Sequence, residues 1–282
     1  MQVDRKSGMP DLQERLDQYD WYHSIDVAPG VRTKGMFDNR HALPIIPFPD
    51  LRGKRCLDVG SHDGFFALHM ERQGASQVVA IDLPDLAALD YPPEVRHDPS
   101  VDLSKTEMLG RHGGFPVLRE VLETNIEWRG CSVYDLHPDD IGTFDVVVVG
   151  SLLLHLRDPV RALDAVRGVV GSSLVVAEYV HPPLTLRSRR RPLFELRGEG
   201  RDFQWWLGNE RGIRHLLKVG GFDIEEVSPY FLLRFGRAWA SKQFPLPPLN
   251  LRARANMVMT SALARDPSRG HLHRAYRCVR RF

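Results

Sequence analysis

The run of four consecutive valines, Val146–Val149, is the feature that most constrains the fold of this chain. A strand of this composition presents apolar side chains to both faces of its sheet, so both faces must be covered. Sheets covered in this way are built from parallel strands joined by helical crossovers. The segment TFDVVVVGS therefore predicts a central strand of a parallel α/β sheet.

Strand-like and helix-like patterns alternate along most of the chain. The other candidate strands are CLDVG, QVVAIDLP, SSLVVAEYV and FDIEEVS, with ANMVMTSALA as a candidate last strand. Helix-like stretches separate them, and Asp158-Pro159 and Asn209 are suitable first residues for two of these helices. The alternation predicts a Rossmann-like, doubly wound, mostly parallel sheet of seven strands with helices on both faces.

Three regions are expected along the chain. Residues 1–50 should form an N-terminal helix and a loop-rich lid segment. Residues 51–265 should form the main domain, with insertions at about 181–208 and 229–250. Residues 266–282 are rich in arginine and are expected to be a basic C-terminal tail.

Composition excludes several classes of protein. Thirty-eight Lys and Arg against 36 Asp and Glu exclude a strong whole-chain preference for polyanions. The three cysteines show no CxxC spacing, the N-terminus has no apolar leader, and no apolar run reaches about 20 residues. These features predict a soluble cytoplasmic protein. The 12 histidines are scattered, so no metal site is predicted, although a carboxylate-bound magnesium would leave little trace in a sequence.

A glycine-spaced turn follows the first strand of the main domain, in LDVGSHDGFFALHME. Its spacing is Asp58-x-Gly60-x-x-x-Gly64, which does not match the G-x-G-x-x-G turn of dinucleotide-binding proteins. Gly60 lets a ligand approach the backbone, and Asp58 could accept a bond from a ligand ammonium group or cap the next helix. Asp82 ends the next strand, where an acid can bind both ribose hydroxyls. The pattern predicts a ligand with adenine, ribose and an amino-acid tail. Residues 58–64 are called the glycine turn below.

This turn, the spaced acid and TFDVVVVGSLLLHLRDPVRAL together resemble class I methyltransferases that use S-adenosylmethionine and release S-adenosylhomocysteine. The resemblance covers about residues 50–230. It implies that the cofactor's methionine end, ribose and adenine are bound in turn along the carboxyl edge of the sheet. The implied cofactor residues are Asp58, Gly60, Ser61, Gly64, Asp82, Leu83, Ser132, Val133, Tyr134, Gly150 and Ser151.

A narrower resemblance involves the segment YDWYHSIDVAPGVRTKGMFD. With the HLRDP block, it is similar to a branch that includes tRNA wobble-uridine carboxymethyltransferases, which use a carboxylated form of the same cofactor. Ser61-His62 stands where those enzymes carry a cysteine-glycine pair. Both the tRNA substrate and the carboxylated cofactor therefore stay open as alternatives.

Three residues are candidate acid–base groups. His155, just after the strongest strand, has a side chain suited to accept a proton from a substrate hydroxyl, or it packs against the cofactor. Glu178 ends another strand at the same edge of the sheet. His23 lies in the lid segment, which either closes over the site or anchors to the domain.

Substrate-binding residues are predicted in the irregular segments. Adjacent tryptophans could stack on a substrate ring, or one could be core and covered by the other. The candidates are Trp21, Tyr22, Lys34, Trp205, Trp206 and Asn209. An arginine cluster at 187–191 could contact phosphates, but a solvated loop is the alternative.

The sequence thus predicts an enzyme that methylates a hydroxyl oxygen of a small molecule, such as a sugar or a secondary metabolite. The alternatives are a tRNA-modifying methyl- or carboxymethyltransferase and a cofactor-binding module without turnover. The pattern predicts no membrane partner and does not fix an oligomeric state.

Overall fold

The computed structural model describes residues 9–85, 88–100, 114–198, 204–240 and 251–282. The α-helices are α1 Met9–Leu16, α2 Phe65–Arg72, α3 Pro93–Arg96, α4 Gly114–Leu122, α5 Pro138–Ile141, α6 Pro159–Val169, α7 Pro182–Arg187, α8 Glu210–Val219 and α9 Leu251–Ala264. The first seven strands are β1 Trp21–His23, β2 Asp26–Ala28, β3 Val31–Arg32, β4 Gly35–Asp38, β5 Arg55–Val59, β6 Gln77–Asp82 and β7 Glu127–Gly130. The others are β8 Phe144–Gly150, β9 Val170–Tyr179, β10 Phe194–Leu196, β11 Trp206–Gly208, β12 Phe222–Val227, β13 Phe231–Phe235 and β14 Gly270–Arg280.

A single large sheet organises the described residues, in the order β1-β4-β13-β14-β9-β8-β5-β6-β7, with β12 also paired to β14. Strands β7, β6, β5, β8 and β9 are parallel neighbours, and β14 runs antiparallel beside β9. The predicted Rossmann-like α/β class is confirmed. The valine run lies in β8, between β5 and β9 at the centre of the sheet.

Both faces of β8 are buried, as its composition predicts. Val147 and Val149 belong to a core that also contains Leu163 of α6 and Leu217 of α8. Val146 and Val148 belong to a second core on the other face, with apolar side chains of α2 and α4. Successive side chains of a strand point to opposite faces, so one apolar run supports two helical layers.

The end of the chain differs from the prediction. ANMVMTSALA, the expected last strand, lies in the helix α9, and most of the expected tail at 266–282 is β14 inside the sheet. Two arginines of the expected basic tail are paired with acids of neighbouring elements. Arg274 bonds to Glu210 of α8 at 3.2 Å, and Arg277 bonds to Glu226 of β12 at 3.1 Å.

The large sheet also contains ten strands rather than the predicted seven. Strands β1 and β4 come from the region expected to be loop-rich, and β13 comes from the expected insertion at 229–250. Arg234 and Phe235 of β13 pair with Asp38 and Phe37 of β4, which joins the lid segment to the sheet edge. The other expected insertion contains α7 and the antiparallel hairpin β10–β11.

Candidate active site

The glycine turn joins β5 to α2 at the carboxyl edge of the parallel strands. Gly60 and Gly64 have φ angles of 71° and 83°, in the left-handed region that favours glycine. A Cβ at Gly64 would lie 2.1 Å from the Phe115 ring and would clash with it. The amides of Gly60 and Ser61 donate to the Ile81 carbonyl at 2.9 and 3.0 Å, which fastens the turn to β6.

The two predicted acids lie at this same edge, because β5 and β6 are parallel neighbours. Asp82 Oδ2 accepts from the His62 amide and Oδ1 from the Leu83 amide, both at 2.7 Å. Each oxygen keeps a lone pair, enough for two ribose hydroxyls. Asp58 is 1% exposed and accepts from the Ala67 amide at 2.9 Å. Burial raises the pKa of Asp58 to about 7. Asp58 Oδ2 therefore binds an amide in the first turn of α2, as the capping alternative expects, and its contact with a ligand ammonium group stays a prediction.

The other predicted cofactor residues follow the ends of neighbouring strands. They are Leu83 after β6, Ser132, Val133 and Tyr134 after β7, and Gly150 and Ser151 where β8 ends. Ser61 Oγ is buried and has no hydrogen-bond partner in the described parts of the chain, so it can bond a ligand. Ser151 Oγ instead pairs with His273 Nε2 at 2.9 Å. The open carboxylate positions of Asp82 and the free Ser61 hydroxyl fit an adenosyl amino acid.

His23 is paired with a carboxylate of the glycine turn. Its Nδ1 lies 2.5 Å from Asp63 Oδ1, and its backbone amide donates to Asp63 Oδ2 at 2.7 Å. The imidazole stacks on the Phe65 ring, with centroids 4.8 Å apart. Burial would raise the pKa of Asp63, but the neighbouring His23 outweighs it and holds the pKa below its ordinary value. The lid segment is thus anchored directly to the glycine turn through His23.

Glu178 lies at the end of β9 and is 3% exposed. Its oxygens accept from the backbone amides of Leu153 and Tyr179, each at 2.9 Å. Burial raises the pKa of Glu178 to about 7. A small cavity of about 10 Å³ is lined by Glu178, Tyr179 and Trp206, among other residues. That volume is about what one water molecule requires.

His155 lies at the same edge, at the end of a short 3-10 turn, Leu153–His155, that follows β8. Its side chain is half-buried. The backbone amide donates to the Leu152 carbonyl at 2.9 Å, which closes the turn. The structure thus brings His155, Glu178 and His23 to one edge of the sheet.

Three predicted substrate residues have structural roles instead. Trp21 is 2% exposed, and its Nε1 donates to the Leu16 carbonyl at 2.7 Å. Lys34 is exposed and pairs with Asp17 at 2.5 Å. Asn209 caps α8 and is 1% exposed. Its amide accepts from Gly212 and Leu193 and donates to Ser188 and Arg191. This uses all four of its hydrogen-bonding positions and leaves none for a substrate.

The tryptophan pair belongs to a network around Asp90. Trp205 is 9% exposed, and its Nε1 donates to the Asp90 carbonyl at 2.6 Å. The Tyr134 hydroxyl donates to Asp90 Oδ2 at 2.5 Å, and the Arg157 amide donates to the same oxygen at 2.8 Å. Trp206 is less buried and donates to the Arg157 carbonyl at 3.2 Å. Trp205 is therefore core, whereas Trp206 of the β10–β11 hairpin is partly buried and lines the small cavity beside Glu178.

Sequence reasoning missed three residues of this site: Asp63, His271 and His273. Asp63 is an acid inside the glycine turn, and the available signal was the need of the candidate base His23 for an acidic partner. His271 and His273 lie in HLH, whose alternation belongs to β14 and was hidden by the flanking arginines. In the described ranges, no group of three or more His, Cys, Asp or Glu side chains is arranged to hold a metal ion. In those ranges, no helix is both long and apolar enough to cross a bilayer.

Comparisons with known proteins identify the family of this chain. A protein family described as a methyltransferase domain matches residues 32–227. A tRNA U34 carboxymethyltransferase from Campylobacter hominis is 27% identical over 126 residues, covering 45% of this chain and 35% of that protein. A ubiquinone biosynthesis O-methyltransferase from Xanthomonas oryzae pv. oryzae is 34% identical over 118 residues, covering 41% and 38%.

The fold has a counterpart among solved structures. The N-terminal domain of EvdMO1, crystallised with S-adenosylhomocysteine, superposes with a TM-score of 0.51 at 14% identity. The match covers 99% of this chain and 97% of that domain. The two curated relatives are matched over little more than a third of their own length. The family match spans well over half of the chain and includes the glycine turn, Asp82 and Glu178. The chain is therefore a methyltransferase-domain protein, and the predicted resemblance to class I S-adenosylmethionine-dependent methyltransferases is confirmed.

Proposed function

We propose that this enzyme transfers the methyl group of S-adenosylmethionine to a hydroxyl oxygen of a small molecule. The proposal rests on the pair formed by His23 and Asp63, which is part of the glycine turn. A hydroxyl becomes a better nucleophile when a neighbouring base removes its proton. Asp63 fixes the imidazole through Nδ1, so Nε2 is the nitrogen that takes the proton. In Ser-His-Asp enzymes, an acid likewise orients the histidine through Nδ1 while Nε2 takes the proton.

The cofactor would occupy the carboxyl edge of β5, β6, β7 and β8. Asp82 would bind the ribose hydroxyls, and Ser61 and the glycine turn would hold the methionine end. Ser132, Val133 and Tyr134 would surround the adenine. When bound, S-adenosylmethionine supplies an electrophilic methyl carbon on its sulfonium. His23 takes the hydroxyl proton. Asp63 accepts from the His23 backbone amide, so the base is held at a fixed position relative to the glycine turn.

His23 has one advantage over His155 as the base. Asp63 bonds to both the imidazole and the backbone amide of His23, so the orientation of the His23 ring is fixed before a substrate binds. His155 remains the second candidate, because it follows β8 at the same edge. Glu178, whose pKa burial raises to about 7, can stabilise a protonated imidazole or relay the proton through water.

Methyl transfer from radiolabelled S-adenosylmethionine to a panel of hydroxylated small molecules tests the proposal. His23→Gln should lower kcat by about 100-fold or more. The affinity for S-adenosylhomocysteine, measured by calorimetry, should change by less than about threefold because the imidazole does not hold the cofactor. His97→Gln, at an exposed histidine, is the matched control. A His23→Gln enzyme with full turnover would exclude the base role, and a large loss in His155→Ala alone would transfer that role to His155.

A tRNA substrate is the second candidate function. The exposed arginines 187, 189, 190 and 191 favour it, because α7 follows β9 directly and places them at the same edge of the sheet as the glycine turn. Retention of the protein on immobilised tRNA at low salt, lost at high salt, would support it. A variant with these four arginines changed to glutamine should then lose retention. No retention at low salt would exclude this function.

A further inference from the structure

Five neighbouring rings lie beside the proposed transfer site, and we call them the aromatic wall: Tyr22, Phe37, Tyr179, Phe235 and His271. Phe37 is 6% exposed and forms the buried base on which the neighbouring rings pack. Neighbouring ring centroids lie 5.0 Å apart for Tyr22–Phe37, 6.0 Å for Phe37–Phe235, 5.2 Å for Phe235–His271 and 6.0 Å for His271–Tyr179. The rings come from β1, β4, β9, β13 and β14, so the antiparallel side of the sheet builds the wall.

The wall meets the proposed catalytic groups at both of its ends. The Tyr22 ring lies 4.8 Å from the His23 ring and 4.8 Å from the His62 ring of the glycine turn. Tyr179 directly follows Glu178 in β9, and both residues line the small cavity described above. Burial, and then the charges of Asp63 and Glu178, raises the pKa of Tyr22. A molecule resting on the wall would therefore lie between His23 and Glu178.

Four of the five rings remain accessible. The His271 side chain is solvent-exposed, and Tyr22, Tyr179 and Phe235 are partly exposed. These rings, rather than the buried Phe37, are the part of the wall that a bound molecule could contact.

The rings of the wall themselves are uncharged at neutral pH. His271 is neutral there, and burial lowers the pKa of the adjoining His273 to about 3. The charged residues that flank the wall are paired with one another. These pairs are Asp38–Arg40 at 2.6 Å, Arg234–Asp266 at 2.8 Å and Glu195–Arg197 at 3.2 Å. Such a surface favours a flat, uncharged ring over a phosphorylated or polyanionic molecule.

We infer that the methyl acceptor is a hydroxylated aromatic ring, which stacks on the aromatic wall and directs its hydroxyl toward His23. This inference rests on the proposed function and narrows it from small-molecule hydroxyls to phenols. The O–CH₃ bond forms as the S–CH₃ bond of the cofactor breaks. The phenolic proton goes to His23 Nε2, and S-adenosylhomocysteine leaves. A phenol is the easier hydroxyl to activate, because its pKa of about 10 lies closer to that of an imidazole than an alkyl alcohol's does.

The test compares 2-naphthol with its saturated counterpart, decahydro-2-naphthol, by calorimetry on the full chain saturated with S-adenosylhomocysteine. The two probes share a hydroxyl and a similar outline, so they differ mainly in ring aromaticity. We expect 2-naphthol to bind about tenfold more tightly. Phe235→Leu should weaken 2-naphthol binding by about three- to tenfold, whereas Phe282→Leu, at an exposed phenylalanine outside the wall, should leave it unchanged. His271→Leu, at an exposed position, repeats the test if Phe235→Leu does not fold.

Equal affinity for the two probes, or equal effects of Phe235→Leu and Phe282→Leu, would overturn the inference. Methyl transfer to the same two probes separates this failure from failure of the proposed function. Transfer to decahydro-2-naphthol without a preference for 2-naphthol would contradict the aromatic acceptor and support O-methylation. Tight, ring-selective binding of 2-naphthol without any O-methyl product would support stacking on the aromatic wall and contradict O-methylation.

Discussion

The two halves of the active site are built from the chain in different ways. The cofactor half comes from two neighbouring β–turn units, in which the glycine turn and Asp82 lie within 25 residues of one another. The proposed acceptor half comes from β1, β4, β9, β13 and β14, which lie in distant parts of the chain and meet through sheet pairing. Local motifs therefore fix the cofactor half, and long-range register fixes the acceptor half. The bonds between His23 and Asp63, 40 positions apart, join the two halves.

The cofactor half should tolerate change least at Gly64. Alanine there combines a φ of 83° with a Cβ 2.1 Å from Phe115. We expect a loss of about 2–5 kcal/mol in the free energy of unfolding, measured by urea denaturation. Gly30→Ala is the matched control, because Gly30 has a φ of 80° and nothing within 4 Å of its Cβ position. Its loss should be limited to the backbone cost of about 1–2 kcal/mol. Equal losses at the two glycines would mean that the Phe115 contact is not rigid.

Asp82→Asn should weaken cofactor binding without changing acceptor binding. The variant removes the charge that would hold the ribose hydroxyls, and hydrogen bonds to charged groups contribute about 1.5–3 kcal/mol. Calorimetry should therefore show S-adenosylhomocysteine binding weakened by about 10- to 100-fold. Binding of 2-naphthol to the cofactor-free protein should not change. A parallel loss of both affinities would show that the halves do not act independently.

Glu178 should make stability fall as the pH rises. Its pKa is about 7 in the folded protein, against about 4.3 for an ordinary glutamate. Between these values the folded state keeps a proton that the unfolded state has lost, so its contribution to stability decreases with rising pH. The difference in unfolding free energy between wild type and Glu178→Gln should change by about 1–3 kcal/mol from pH 5 to pH 8. Glu123→Gln, at an exposed glutamate, should run parallel to wild type. Parallel behaviour of Glu178→Gln would show that this carboxyl is ionised in the folded protein.

Lys34→Ala should have the smallest effect. Its ion pair with Asp17 is on the surface, where such pairs contribute about 0–1 kcal/mol. Unfolding free energy and the KM for a methyl acceptor should both stay near their wild-type values. A several-fold rise in KM would restore Lys34 as a substrate residue and contradict its assignment to the surface.

The contrast between the halves also explains how far the sequence could be interpreted. Strands β5, β6, β8 and β9 and the glycine turn were predictable, because each signal lies within about ten consecutive residues. Strand β14 was not, since Arg274 and Arg277 interrupt its apolar pattern and find their acidic partners on other elements. The helix cap predicted at Asn209 was correct. Its side-chain amide already makes four hydrogen bonds within the protein, so it cannot also bind a substrate. The partnership of His23 with Asp63 required the sheet pairing of β1 and β4, which no local pattern encodes.

A crystal structure of the protein with S-adenosylhomocysteine tests most directly whether the two halves meet at one reacting centre. We predict that the ribose hydroxyls bind Asp82 and that the sulfur faces an open cleft bordered by His23 and Tyr22. A sulfur separated from His23 by other side chains, or an adenosyl group bound away from Asp82, would contradict that arrangement.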